Sequence, residues 1–266
     1  MSAELTHARV HDALQRLRLR HVADRLDALL ADGARHELTY LDFLDRVLAE
    51  EVENKQRKRV AMGIQIAHFP AAKALEDFEY KFQPSVDAKL MRELATGRFV
   101  ANAENVLLFG PPGVGKTHLA IGLGRACVEA GHSVLFTSAT ALIAALSKAE
   151  NEGNLAEKLA YFVKPRLLLI DELGYLSFER RSAHLFFQLV ARRYERASTL
   201  ITTNQTVGQW GTVFGDDVLA AAILDRLLHH SHTMMITGDS YRLRQKKRSG
   251  LLGKSLEGAQ PHPITP

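Results

Sequence analysis

The sequence is poor in the features that mark secreted, disulfide-stapled or membrane-embedded chains. Cys127 is the single cysteine among 266 residues. It has no partner for an internal disulfide and no fellow thiols for a zinc site. Its apolar helical surroundings make it a small core residue. The N-terminus, MSAELTHARVHDALQRL, carries charge from the start and has no apolar signal core. No later apolar run is long enough to span a bilayer. A soluble cytoplasmic protein with no membrane partner is expected. There is no internal repeat. A large excess of one charge sign is also missing: 34 Lys and Arg stand against 30 Asp and Glu, a formal net charge of +4. This mild excess permits nucleic-acid binding without establishing it. Hydrophobic content of 46% is ordinary and lets a packed core extend over most of the length.

The first stretch reads as one helix. Val10, Leu14, Leu17, Val22, Leu26, Leu29 and Leu30 recur at three- and four-residue spacing. Gly33 is expected to end it. Thr39 with Asp42 forms a capping pair before Leu41, Leu44, Val47 and Leu48. The basic run Lys55–Arg59 follows. Pro70 and Pro84 bracket the expected domain boundary, with a small helical partner- and DNA-interaction domain over residues 1–69. Strands then alternate with helices over residues 70–249. Apolar runs at Val106–Phe109, Val134–Phe136, Leu167–Ile170, Thr199–Thr202 and Met234–Ile236 predict five strands. This alternation implies an α/β fold, a parallel sheet flanked by helices. The Gly- and Pro-containing tail over residues 250–266 reads as disordered.

The stretch Gly110-Pro111-Pro112-Gly113-Val114-Gly115-Lys116-Thr117 fits G-x-x-x-x-G-K-[ST]. A strand precedes it and a helix follows. The loop can therefore turn its N–H groups toward phosphate oxygens, backed by the positive end of the helix. Lys116 is expected to neutralise the β- and γ-phosphates of ATP. The Thr117 hydroxyl is expected to ligate Mg²⁺, and His118 is grouped with the nucleotide-binding residues. The strand Leu167–Ile170 ends in Asp171-Glu172, at the edge where open α/β sheets bind ligands. Asp171 would hold Mg²⁺ through water and Glu172 would polarise the attacking water. Asn204 ends the Thr199 strand, where its amide could orient that water.

Together with Asp225-Arg226-Leu227 and Ser240-Tyr241-Arg242-Leu243-Arg244, these motifs resemble the AAA+ ATPases. More narrowly, the chain resembles the IstB-like helper ATPases of insertion sequences. The segments Leu75-Glu76-Asp77-Phe78, Asp171–Tyr175, Ile223–Ser231 and Ser240–Arg244 carry that similarity. DnaC-like helicase loaders and DnaA-like initiators are related types. The resemblance implies a homo-oligomer with ATP sites at subunit interfaces, bound to double-stranded DNA and to a partner transposase. It implies that Arg226 is an arginine finger and that Arg242, or Arg244, is a second sensor. Only a short stretch follows Gly238, so a reduced C-terminal lid is expected. The segment Ala139–Tyr161 exceeds one crossover helix. By the resemblance it faces DNA through Lys148 and Lys158, which serve equally well as solvated helix positions.

His229-His230-Ser231-His232 looks like a metal cluster but reads as structural. Adjacent histidines point different ways, and no cysteine or carboxylate completes a tetrahedral set nearby. The basic runs Lys55–Arg59 and Arg244–Arg248 read as solvated faces. A transposition helper and a helicase loader share this ATPase core and differ in partner. A small-molecule kinase would need an acceptor lid and no such Glu172, Asn204 and Arg226 set.

Overall fold

The computed structural model describes residues 3–175 and 177–241. The expected tail from residue 250, and Arg242 and Arg244, lie outside them. The chain forms two units, Met1–Gly63 and Ile64–Pro266.

The first unit holds α1 (Ala3–Arg16), α2 (Arg20–Arg35) and most of α3 (Tyr40–Ile66). The expected single first helix is two. The apolar repeat runs on through Leu17, but the backbone breaks there, with Arg18 at φ 58°. Gly33 does not end a helix either, because α2 continues to Arg35. It is a point of close approach. A Cβ there would stand 2.8 Å from the Phe43 ring. Val22, Leu29 and Val47 form the small core, with Leu14 and Phe43 against it. The Thr39 hydroxyl accepts the Asp42 N–H at 3.2 Å, as the capping pattern predicts. A device with no local sequence signal starts α2. The buried Glu51 carboxylate of α3 accepts the Val22 N–H at 3.0 Å, filling one of the donors that a helix start leaves open. The run Lys55–Arg59 lies within α3.

The second unit continues through α4 (Ala88–Ala95), α5 (Arg98–Ala101), β1 (Asn105–Phe109), α6 (Lys116–Glu129) and β2 (Val134–Ser138). Next come α7 (Ala139–Asn151), α8 (Leu155–Val163), β3 (Leu167–Leu173), α9 (Arg180–Arg193) and β4 (Ser198–Thr203). It ends with α10 (Trp210–Phe214), α11 (Asp217–Leu228) and β5 (Ser231–Met235). All strand pairs are parallel and the order is β2-β3-β4-β1-β5. The expected α/β class therefore holds. The long segment after β2 folds as two helices, α7 and α8. Strand β5 starts three residues earlier than its apolar run. Among the described residues it pairs only with β1, so Ser231, His232 and Thr233 are tolerated at the sheet edge.

Central strands β1, β3 and β4 are almost wholly buried, and α7, α9 and α11 pack their apolar sides on the same core. Cys127 is fully buried in α6, and burial pushes its thiol up to about 12, so the core reading holds. Arg193, 2% exposed at the end of α9, has no carboxylate partner among the described residues. Its guanidinium donates to the carbonyls of Phe162, Val163 and Pro165 at 2.9, 3.1 and 3.0 Å. It also reaches the Ser198 carbonyl and the Thr199 hydroxyl. Burial pushes its pKa down to about 9, and the ring of carbonyls is what makes the charge tolerable there. The clamp joins the end of α8 to the first residues of β4.

Candidate nucleotide site

Strand β1 stops at Phe109, and the next residues cannot continue it. Gly110, Gly113 and Gly115 take φ of 149°, 84° and 102°. At Gly113 and Gly115 a side chain is excluded by backbone and by space. A Cβ on Gly113 would meet Ser240 Oγ at 2.1 Å, and one on Gly115 would meet the Phe78 ring at 2.7 Å. The loop is held from outside by Gln83, whose Nε2 donates to the Val114 carbonyl at 3.1 Å. The Tyr241 N–H donates to the Gly113 carbonyl at 3.0 Å. Gly115 caps α6, so Lys116 and Thr117 occupy its first turn. Lys116 Nζ donates to the carbonyls of Gly110 and Pro111 at 2.8 and 2.9 Å, which keeps the ammonium over the loop.

Three strand ends meet beside this loop. The Thr117 hydroxyl lies 3.0 and 3.1 Å from the two oxygens of Asp171, at the end of β3. Asp171 is 7% exposed. The Thr202 hydroxyl of β4 donates to Asp171 Oδ1 at 2.5 Å and accepts the Glu172 N–H at 2.9 Å. This one side chain therefore ties both acidic residues to β4. The β3–β4 register slips between Ile170 and Leu173, and Glu172 sits at φ 61°. A left-handed backbone at a residue other than glycine costs about 1–3 kcal/mol and persists only where neighbours enforce it. The slip turns Glu172 away from the sheet, leaving its side chain exposed while Asp171 stays buried.

These groups surround a cavity of about 550 Å³, within the usual range for ligand sites. Pro112 through His118, Glu172, Thr202 and Asn204 line it. His118 Nε2 also lies 2.8 Å from the Ala74 carbonyl. The hydroxyl and carboxylate pair of Thr117 and Asp171 is a hard oxygen donor set and fits Mg²⁺. The glycine loop at the start of α6 fits a chain of phosphates. The sequence reading missed the aromatic wall, Phe78, Phe82 and Tyr241. Phe78 packs edge-on against His118 and Phe82 stands 6.4 Å from Tyr241. The closely spaced Phe78, Tyr80 and Phe82 were the available signal. Thr202 was missed as well, since its role depends on contacts about thirty residues away.

The other candidate residues lie elsewhere. Arg226, in α11, donates to the Ala222 carbonyl at 2.7 Å and covers the Phe187 ring at 4.9 Å, and it is not among the residues lining the cavity. Lys148 in α7 stands 3.8 Å from Glu152, and Lys158 in α8 lies over the Tyr161 ring at 5.3 Å. The case against the histidine cluster needs correction. Glu195, remote in sequence, stands beside both His229 and His230. The two rings are grouped, with centroids 4.1 Å apart.

A family model described as IstB-like ATP binding protein matches residues 12–249. The ATP-binding protein of insertion sequence IS21 from Pseudomonas aeruginosa is 48% identical over 242 residues, 91% of either chain. The ATP-binding protein of insertion sequence IS5376 from Geobacillus stearothermophilus is 44% identical over 239 residues, 90% of this chain and 95% of that one. Among solved structures, AMPPCP-bound DnaA from Aquifex aeolicus superposes with a TM-score of 0.52 at 22% identity, covering 69% of this chain and 56% of that one. This chain thus spans little more than half of DnaA, and the likeness is one of fold. DnaI superposes with a TM-score of 0.51 at 25% identity, covering 63% of this chain and 89% of DnaI. No helix of the described residues is long and apolar enough to cross a membrane.

Proposed function

The chain belongs to the IstB-like ATP-binding proteins of insertion sequences, with an AAA+ fold, and on that premise we propose that it is a Mg²⁺-dependent ATPase that assembles on double-stranded DNA and stimulates a partner transposase. The observation that supports hydrolysis is the meeting of Lys116, Thr117, Glu172 and Asn204 at one cavity, from three neighbouring strand ends, with Asp171 bonded to Thr117 behind it. Lys116 and the loop N–H groups bind and orient the β- and γ-phosphates. Mg²⁺ held by Thr117 and, through water, by Asp171 would neutralise charge on the same phosphates. Asn204 orients the attacking water and Glu172 accepts its proton as its oxygen bonds to the γ-phosphorus, while the bond from that phosphorus to the β,γ-bridging oxygen breaks and ADP leaves with its new charge held by Lys116 and the loop N–H groups.

Arg226 is the residue we assign to a neighbouring subunit's γ-phosphate. Its absence from the lining of its own cavity agrees with action in trans. Arg242 is assigned as the second sensor, with Arg244 its rival. Tyr241, next in the chain, is bonded to the glycine loop. Lys148 and Lys158 are assigned to DNA phosphates, which would make binding largely independent of sequence and strongly weakened by salt. Residues 1–69 would meet the transposase or DNA, and residues 70–249 form the ATPase, acting in the cytoplasm.

The test is Glu172→Gln in a turnover assay with duplex DNA and transposase present. The substitution keeps size and hydrogen bonding, so binding of a fluorescent ATP analogue should stay within about threefold while turnover falls about 100-fold or more. Turnover at the native rate removes Glu172 from the mechanism. A native protein whose turnover responds to neither duplex nor transposase removes the transposition-helper role.

A further inference from the structure

The corner where α9 gives way to β4 carries a side-chain group that the nucleotide site does not use. Glu195, in the turn after α9, has φ 55°, another left-handed backbone at a non-glycine residue. Its Oε1 stands 3.6 Å from His229 Nδ1 and 3.8 Å from His230 Nε2. One donor atom from each of the three residues can be chosen so that all lie within 4.8 Å of one another. The Tyr194 hydroxyl is 2.6 Å from His229 Nδ1, and its ring stacks on that imidazole at 5.8 Å. All three donors are exposed.

We propose that Glu195, His229 and His230 form a surface site for a divalent transition-metal ion of borderline softness, such as Zn²⁺. Two imidazole nitrogens and one carboxylate oxygen are a donor set that Zn²⁺ takes, and hard Mg²⁺ does not favour it. The distances point the same way. At 3.6 and 3.8 Å the carboxylate oxygen is too far from either ring for a hydrogen bond, yet both rings are drawn around it. Tetrahedral ligands about 2.0–2.1 Å from a zinc ion stand roughly 3.4 Å apart, so only small side-chain shifts separate this arrangement from coordination. The site also lies at the C-terminal end of α11, where the helix carries partial negative charge and favours a cation. The Tyr194 hydroxyl holds the same Nδ1 that faces Glu195, so an ion would displace this hydrogen bond, while the stacked Tyr194 ring still steadies the imidazole. Exposure leaves the remaining coordination positions to water or to a ligand from outside. None of the three residues lines the nucleotide cavity, so the two sites are separate.

The experiment uses the full chain without a histidine tag, treated with a chelator and free of nucleotide. Co²⁺ is titrated in, and its visible absorption reports ligand number. Zn²⁺ then competes it out. One saturable equivalent per chain is expected. Glu195→Gln, His229→Asn and His230→Asn should each weaken it about tenfold or more, while Asp171→Asn leaves it unchanged. Binding of a fluorescent ATP analogue by the three variants checks that they fold. No saturable equivalent, or one that survives all three substitutions, overturns the site. Loss of the equivalent in Asp171→Asn would assign the ion to the nucleotide site and overturn it equally.

Discussion

Where β4 begins, Arg193 is surrounded by backbone carbonyls, and Asn105 spans from the Leu227 carbonyl to the Thr199 N–H at 3.0 and 2.9 Å. Where β4 finishes, Thr202 bridges a buried carboxylate to a strained backbone N–H, and the neighbouring loop turns on glycines of positive φ. Both ends bury polar side chains. At the first end the partners are neutral, close in space and complete, so the side chains lock one arrangement. At the second end the hydroxyls of Thr117 and Thr202, which bond the Asp171 carboxylate, and the nearby Lys116 ammonium also face a cavity. Their hydrogen bonds can be exchanged for bonds to a ligand. The same chemistry therefore yields stability at one edge of the sheet and an adaptable site at the other.

The largest effect should come from breaking the locked end. Arg193→Ala removes five donors and strands several buried carbonyls, which should cost about 3–5 kcal/mol of unfolding free energy. Nucleotide affinity of the folded fraction should stay near native. A urea midpoint equal to the native one would show that the clamp is ornamental. Arg193→Lys keeps the charge but not the fork, and should recover only part of the loss.

Lys116→Ala attacks the other end and should do the reverse. Affinity for a fluorescent ATP analogue should drop about 100-fold, near 3 kcal/mol, with no loss of melting temperature. An unchanged titration would remove the loop from nucleotide binding. The finest cut is Thr202→Val, which keeps shape and deletes the hydroxyl. Analogue binding should hold while kcat falls about tenfold, since about 1.4 kcal/mol of positioning is lost with the bridge. Thr202→Ser should restore the rate. Equal loss in both variants would reduce Thr202 to a packing residue.

Legibility in the sequence divides along the same line. The five strands and the crossover helices were readable because apolar runs and helical spacing are local signals. The glycine loop and Asp171-Glu172 were readable because a phosphate cradle and a strand-end acid pair need fixed residue types at fixed spacing. The break at Leu17–Arg18 was hidden because the apolar repeat carries through it. The extra length of β5 was hidden because an edge strand tolerates polar residues. Arg193 looked like any arginine in a last helical turn, and Glu51 like any acidic residue on a long helix. Thr202 and Glu195 carry no local mark at all. Their partners stand about thirty residues away in the chain, and only the fold brings them near.

The strand order has a consequence for how this protein comes into being. β3, β4 and β1 are consecutive in the sheet, but β1 leaves the ribosome about ninety residues before β4 is complete. The glycine loop and its helix can form early, from local contacts. The Thr117–Asp171 bond spans 54 residues, the insertion of β4 between β3 and β1 closes a loop of about ninety, and β5 on β1 closes a longer one still. Such closures are slow because chain entropy is lost before the pairing rewards it. A nascent or truncated chain that stops short of Asn204 thus owns a phosphate loop and no finished site. Quality control over this protein is written into its order of synthesis: the site can be completed only from the fourth strand onward, after the loop that cradles the phosphates is already made.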